Sequence, residues 1–260
     1  MDTSVGLAYA SDMRTSFHSI AYAALDACNA LEMSSVDQAV AQTGLPAGRR
    51  ALDIGCGNGA IAVRLAERFG LDVTAIELDP AMVALAQARI GASPASARVA
   101  LNQGRSGETL ETHAPFDLIA AIGATDPVGD GRLDPADVFR GLRRGLAPGG
   151  WLLWGDLVWT ASPPDPLRQI VELTNTYASD EGWRSAAEGA GLDVVSAVMS
   201  SDETWARYIA AMDQAVSAWL ETHPDDEATP RVQATADRIR ALFEFGRPYF
   251  GFGLYLLRSR

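Results

Sequence analysis

Three glycines at alternate positions, Gly55, Gly57 and Gly59, follow the apolar run Leu52-Asp53-Ile54 and open a helical pattern that begins at Ala60. A strand-to-helix turn without side chains lets backbone approach a ligand, and the helix N-terminus offers unpaired N–H groups to its polar end. Cys56 sits inside this loop, where a small side chain is needed, and nothing nearby in sequence supplies the base that a catalytic thiolate requires. Gly55-x-Gly57-x-x-Ala60 also satisfies a loose dinucleotide fingerprint, a pattern too common to decide the ligand alone. Asp53 bears on that choice. A carboxylate two residues before the first glycine repels a pyrophosphate but supports a cationic amino-acid group by a charge-assisted hydrogen bond, directly or through water.

Glu77 ends a second apolar run about twenty residues after the glycines, where an acid can accept hydrogen bonds from both hydroxyls of a ribose. The competing reading is a solvated strand-end carboxylate. A ribose holder suits either cofactor; it is Asp53, suited to a cationic amino-acid end, that favours S-adenosylmethionine over a dinucleotide. For proton transfer, the candidates are Asp156, at the end of a later apolar run, and His18, whose ring titrates near neutrality. A turn cap and a packing histidine are their respective alternatives. Asp126 and Asp130 also follow a strand, but Asp126-Pro127 and Gly129-Asp130-Gly131 read first as turn chemistry; Asp126 is kept as a substrate-side candidate. Trp159 and Tyr208 are candidates for an apolar acceptor pocket, with core packing as the alternative. His113 and His223 lie in polar loop sequence, and neither the scattered histidines nor the cysteines have metal-ligand spacing, so no metal is expected.

These residues need a scaffold. Short apolar runs at Ala51–Ile54, Asp72–Glu77, Val99–Asn102, Phe116–Ile122 and Gly150–Trp154 alternate with helical patterns at Ala60–Phe69, Pro80–Ile90 and Pro135–Leu146, the signature of βαβ units in a parallel sheet. Three prolines in Thr160–Pro166 predict a loop over the carboxyl edge of that sheet, where ligands bind. Leu192–Met199 and Tyr249–Leu257 read as two last strands, separated by an amphipathic helix starting at Trp205 and a second over Arg231–Phe245. Ser16–Gln42 reads as helical and able to fold over the same edge.

Composition sets limits. The 260 residues, 48% hydrophobic and 21% charged, suffice for a substantial core, and 21 Lys+Arg against 33 Asp+Glu give a net charge of −12. That sign repels phosphate backbones and anionic membranes, so no nucleic-acid or membrane partner is expected. No apolar run approaches the roughly 18 residues of a membrane span. Two cysteines, Cys28 and Cys56, and the lack of a signal-peptide pattern in residues 1–50 predict a reduced, cytoplasmic protein.

Order and spacing resemble the class I S-adenosylmethionine-dependent methyltransferases. The match runs from Leu45 to about Trp159 and rests on Leu52–Ala60, Ala75-Ile76-Glu77-Leu78-Asp79-Pro80, Phe116-Asp117-Leu118-Ile119 and Leu146-Ala147-Pro148-Gly149-Gly150. The resemblance implies that Asp53, Gly55 and Gly57 border the methionine end of the cofactor, that Glu77 holds the ribose, that Leu78 and Met82 pack on the adenine, and that Gly123 approaches the methionine moiety. One departure stands out: where the family usually carries an acid that contacts the adenine amino group, this chain has Gly104-Arg105-Ser106. Arginine has no acceptor, so backbone or Ser106 must serve instead.

A narrower resemblance is to a bacterial branch of largely uncharacterised small-molecule methyltransferases. It rests on Phe17-His18-Ser19-Ile20-Ala21, Ile122-Gly123-Ala124-Thr125, Gly155-Asp156-Leu157-Val158-Trp159, Trp205-Ala206-Arg207-Tyr208 and Phe250-Gly251-Phe252-Gly253-Leu254-Tyr255. Asp156 replaces the usual glutamate there, and Asn29-Ala30 replaces the usual Asn-Pro.

The expectation is an α/β, Rossmann-like, seven-stranded doubly wound sheet whose last strand is antiparallel. Its parts are an N-terminal helical lid over 1–48, a cofactor-binding core over 49–201, a helical insertion over 202–248 and the last strand over 249–260. The expected activity is in-line methyl transfer to a small-molecule acceptor. A nicotinamide dehydrogenase, an enzyme using the sulfonium for lyase chemistry or intramolecular displacement, and a non-catalytic cofactor-binding regulator are the alternatives. The apolar faces of the two late helices serve either a lid or a homodimer interface.

Overall fold

The computed structural model of the protein describes residues 15–129, 131, 134–172 and 177–260. Eight strands form one sheet: β1 Arg50–Ile54, β2 Asp72–Glu77, β3 Val99–Gln103, β4 Phe116–Ile122, β5 Leu146–Trp159, β6 Ala178–Ser179, β7 Leu192–Met199 and β8 Phe250–Ser259. Their order is β3-β2-β1-β4-β5-β8-β7, with the short β6 beside the end of β5. β8 runs antiparallel to both neighbours, and the other pairings are parallel. The chain winds outward from β1 to β3 and returns at β4, so the carboxyl ends of β1 and β4 flank the switch point where such sheets open a crevice.

Helices cover both faces. α2 Met33–Gln42, α3 Ala60–Phe69 and α4 Pro80–Ala92 pack on one face, against residues such as Ala51, Leu118 and Leu153. α5 Ser106–His113, α6 Pro135–Arg144 and α8 Asp180–Gly189 follow on the other, where Leu52, Ile119, Leu152 and Trp154 meet Phe139, Leu142, Trp183 and Ala187. α7 Asp165–Glu172 follows β5. A third, smaller core joins α1 Phe17–Ala23 to α9 Asp202–Thr222 and α10 Thr229–Gly246 through Phe17, Ala21, Leu25, Met212, Val216, Val232 and Ala236.

Several expectations are corrected. The N-terminal helical stretch is two helices with irregular backbone over residues 24–32, because side chains from other elements capture its carbonyls, as described below. The proline-rich loop is shorter than expected: α7 starts at Asp165 with Pro166 in its first turn, where a missing N–H costs nothing. Pro148 and Gly149 do not bound β5 but form an irregularity within it, since pairing with β4 holds at Phe116–Leu146, breaks, and resumes at Leu118–Trp151. β5 then continues past Trp154 to Trp159, which β8 pairs with at Phe250, and β6 brings the strand count to eight rather than seven. Among the described residues, no helix is long and apolar enough to cross a membrane.

Candidate active site

Asp53, near the end of β1, is 2% exposed. One of its oxygens accepts the N–H of Ala62 in the first turn of α3, and the other, Oδ2, has no partner among the described residues. Burial pushes its pKa up to about 8; the Glu77 charge adds to this and the Ala62 N–H opposes it. Above it the loop turns through Gly55, Gly57 and Gly59, all left-handed. Gly57 is required twice over: its φ is 56°, and a Cβ there would lie 3.0 Å from Cys28 Sγ. Cys56 donates its N–H to Ile76 O at 2.9 Å, tying the loop to β2, while burial pushes its thiol far up.

The Glu77 carboxylate closes the other side. Its Oε2 accepts the Gly57 N–H at 2.9 Å, and its Oε1 accepts those of Leu78 and Asp79 at 2.7 and 2.9 Å. Asp79 in turn caps α4, accepting from Ala81 N–H at 2.8 Å with Pro80 behind it. Leu78 is half exposed and Met82 is buried, its Cε 3.8 Å from the position of a Gly57 Cβ. Ser106 is buried and donates its Oγ–H to Asp126 O at 3.1 Å. Arg105 is exposed and lines a surface cavity of about 450 Å³ with Glu108, Glu111 and Arg144 on the α5–α6 side. At the end of β4, Gly123 has φ 70°, and a Cβ on it would fall 2.4 Å from Asn29 Oδ1.

The acceptor-side candidates are scattered. His18 lies on α1 with its ring edge-on to Phe17 and Tyr22. Desolvation lowers its pKa, with Arg238 acting in the same sense and Asp79 against it. Asp156 lies on the opposite side of the switch point; burial raises its pKa to about 7, although its Oδ1 accepts the Leu157 N–H at 2.7 Å. By strand alternation its side chain falls on the face of Trp154 and Val158, and Trp159 falls on the other. The structure therefore does not bring His18 and Asp156 together. Asp126 Oδ1 accepts the N–H groups of Gly129 and Gly131 at 3.0 and 3.1 Å, which is turn chemistry; Asp130 lies outside the described residues. Trp159 packs against Tyr177 and Phe250. Tyr208 joins Tyr22 through their hydroxyls and donates to Cys28 O at 3.3 Å. Burial pushes Tyr22 up to about 12. No metal-binding cluster occurs among the described residues, and His113 and His223 are exposed.

Sequence reading gave no site role to four residues that the fold gathers here: Tyr22, Cys28, Asn29 and Asn58. Asn58 alone had a local signal, as a polar residue between two loop glycines. It accepts the Ala60 N–H at 3.2 Å and donates to Tyr22 O and Leu25 O, both at 2.9 Å.

Residues 51–150 match a family model described as a methyltransferase domain. The whole fold resembles the crystal structure of an S-adenosylmethionine-dependent methyltransferase from Geobacter sulfurreducens in complex with S-adenosyl-L-homocysteine. The two are 26% identical with a TM-score of 0.81, over 94% of this chain and 98% of that one. Over residues 51–150 the chain thus carries a methyltransferase domain, and its fold is similar to that of S-adenosylmethionine-dependent methyltransferases. Among curated relatives, the uncharacterized protein YjhP of Escherichia coli (strain K12) is 29% identical over 217 residues, 82% of this chain and 86% of its own length. The 27-O-demethylrifamycin SV methyltransferase of Amycolatopsis mediterranei (strain S699) is 28% identical over 221 residues, 83% and 79% respectively. The domain match contains Asp53, the glycine loop, Glu77, Arg105, Asp126 and Gly123, whereas His18, Asp156, Trp159 and Tyr208 lie outside it.

Proposed function

We propose that the protein binds S-adenosylmethionine at the β1–β4 crevice and transfers its methyl group to a small-molecule acceptor. The observation that carries this reading is the buried Asp53 carboxylate with an unpartnered oxygen beneath a left-handed glycine loop, since a buried acceptor of this kind calls for a donor. The cofactor's α-ammonium is such a donor. Asp53, Gly55, Cys56, Gly57, Gly59 and Gly123 would then border its methionine half, and Glu77 its ribose. Leu78 and Met82 would cover the adenine; Ser106 and the backbone at Arg105 would take the place of the missing acid. Bound there, the cofactor would supply an electrophilic methyl group on a sulfonium, with the neutral thioether as the leaving group of an in-line displacement by the acceptor.

The chain's own work is orientation, and deprotonation where the acceptor carries a proton. Asp156 is the residue assigned to that proton, because burial brings its pKa to about 7 and so matches it to neutral operation. His18, on the far side of the crevice, is assigned to the acceptor's outer rim, with Trp159 and Tyr208 as apolar walls and Asp126 shaping the loop between. The Amycolatopsis relative is named for a small-molecule acceptor, which supports the acceptor class. Calorimetric titration tests the reading. S-adenosylmethionine and S-adenosylhomocysteine should bind in the micromolar range, Glu77→Ala should abolish both, and NAD should be silent. Binding of NAD without either sulfur compound would overturn it.

A further inference from the structure

Residues 24–32 have no regular structure, yet their backbone is held at many points by side chains from elsewhere. Asn58 in the glycine loop donates to Leu25 O, and Arg89 of α4 donates to Leu25 O and Asp26 O at 3.0 and 3.2 Å. Tyr208 of α9 donates to Cys28 O, and Ser200 Oγ, just before α9, donates to Ala30 O. Carbonyls at four positions are thus captured by four side chains from three regions of the chain. The effect is to stretch this segment across the switch point. Cys28 lies over Gly57 at the end of β1, and Asn29 lies over Gly123 at the end of β4. Both glycines are left-handed, and the space that a side chain on either would need is taken by these two residues.

Asn29 is only partly committed. Its Nδ2 donates to Ile122 O at 3.2 Å, while its Oδ1 accepts from no described residue and one N–H remains. A side-chain amide offers both a donor and an acceptor in one plane. Resting on the cofactor reading above, we propose that Asn29 is a cofactor-binding residue that reads the amino-acid end of S-adenosylmethionine from above, its Oδ1 accepting from the α-ammonium and its free N–H donating to the carboxylate. Asp53 serves the same group from below. The strap of residues 24–32 delivers this amide, and the carbonyl captures fix its height over the crevice.

The test compares two ligands, S-adenosylhomocysteine and 5′-methylthioadenosine, which share the nucleoside but differ in the amino-acid end. Asn29→Ala should weaken the first by about tenfold or more, the size expected for a hydrogen bond to a charged group, and leave the second within about twofold. Equal losses for both ligands would reduce Asn29 to a structural clasp, and no loss for either would remove it from the site; each overturns the proposal. If the wild-type chain binds neither ligand, the cofactor reading itself fails and the proposal falls with it.

Discussion

Asp53 is the residue whose titration says most about the site. Its pKa of about 8 arises chiefly from burial, so near neutrality the free protein keeps it largely protonated. A cationic partner requires the carboxylate, and binding must then release a proton. Cofactor affinity should therefore rise with pH, by as much as tenfold per unit, and level off above about 8. Calorimetry at pH 7 in buffers of different ionisation enthalpy should show nearly one proton released, and Asp53→Asn should remove both the release and the pH dependence. A pH-independent affinity in the wild-type protein would show that Asp53 does not face the cofactor's cation. Asp156 makes a separate prediction. The single-turnover rate of methyl transfer should rise through about pH 7, and Asp156→Asn should lower it about a hundredfold or more at saturating cofactor, the range for general base catalysis. Loss of affinity alone, with the rate intact, would make Asp156 a wall of the pocket.

At the scale of elements, what sequence could reveal depended on whether a segment's structure is set locally. The strands Asp72–Glu77, Phe116–Ile122 and Leu192–Met199 match the apolar runs read for them, and Asp79-Pro80 marks its helix start through a real cap. Residues 24–32 carry a helical pattern yet take irregular backbone, because Asn58, Arg89, Tyr208 and Ser200 lie far off in sequence and their pull on the carbonyls is invisible in it. The same holds for the site. Asp53, Glu77 and the glycines form a short-range motif and were legible; Asn29 reaches Gly123 across 94 positions of sequence and was not. The α6–α8 layer shows how the other face holds together. Phe139 is 1% exposed and meets Trp154 and Trp183 edge-on, with ring centroids at 5.3 and 5.8 Å. Phe139→Ala should destabilise the protein by about 3–5 kcal/mol in urea unfolding, and a loss under about 1 kcal/mol would mean that the rings repack around the gap.

For the whole molecule, buried acids and net charge act in the same direction. Asp53 and Asp156, raised to about 8 and about 7, keep protons in the folded state at pH values where the unfolded chain, with ordinary carboxylates, has released them. The folded state then binds more protons than the unfolded one, so stability falls as pH rises from about 4 and the loss is complete near pH 8. Asp37, beside Arg64 and Arg68, and Asp180, beside Arg184 and Tyr255, are held below the usual carboxylate value. Their contribution is present above that value and is lost only as pH falls through it. Stability should therefore peak in mildly acid solution. The net charge of −12 steepens the alkaline side through self-repulsion, but salt screens that part, with a Debye length of about 8 Å at 0.15 M and about 3 Å at 1 M. Salt reaches the two buried carboxylates far less. Tm should be highest near pH 5–6 and decline toward pH 9, and 1 M salt should lift the alkaline values without removing the slope. Asp53→Asn combined with Asp156→Asn should flatten that slope even at low salt. A Tm that 1 M salt makes independent of pH would assign the whole effect to surface repulsion and leave Asp53 and Asp156 with ordinary pKa values.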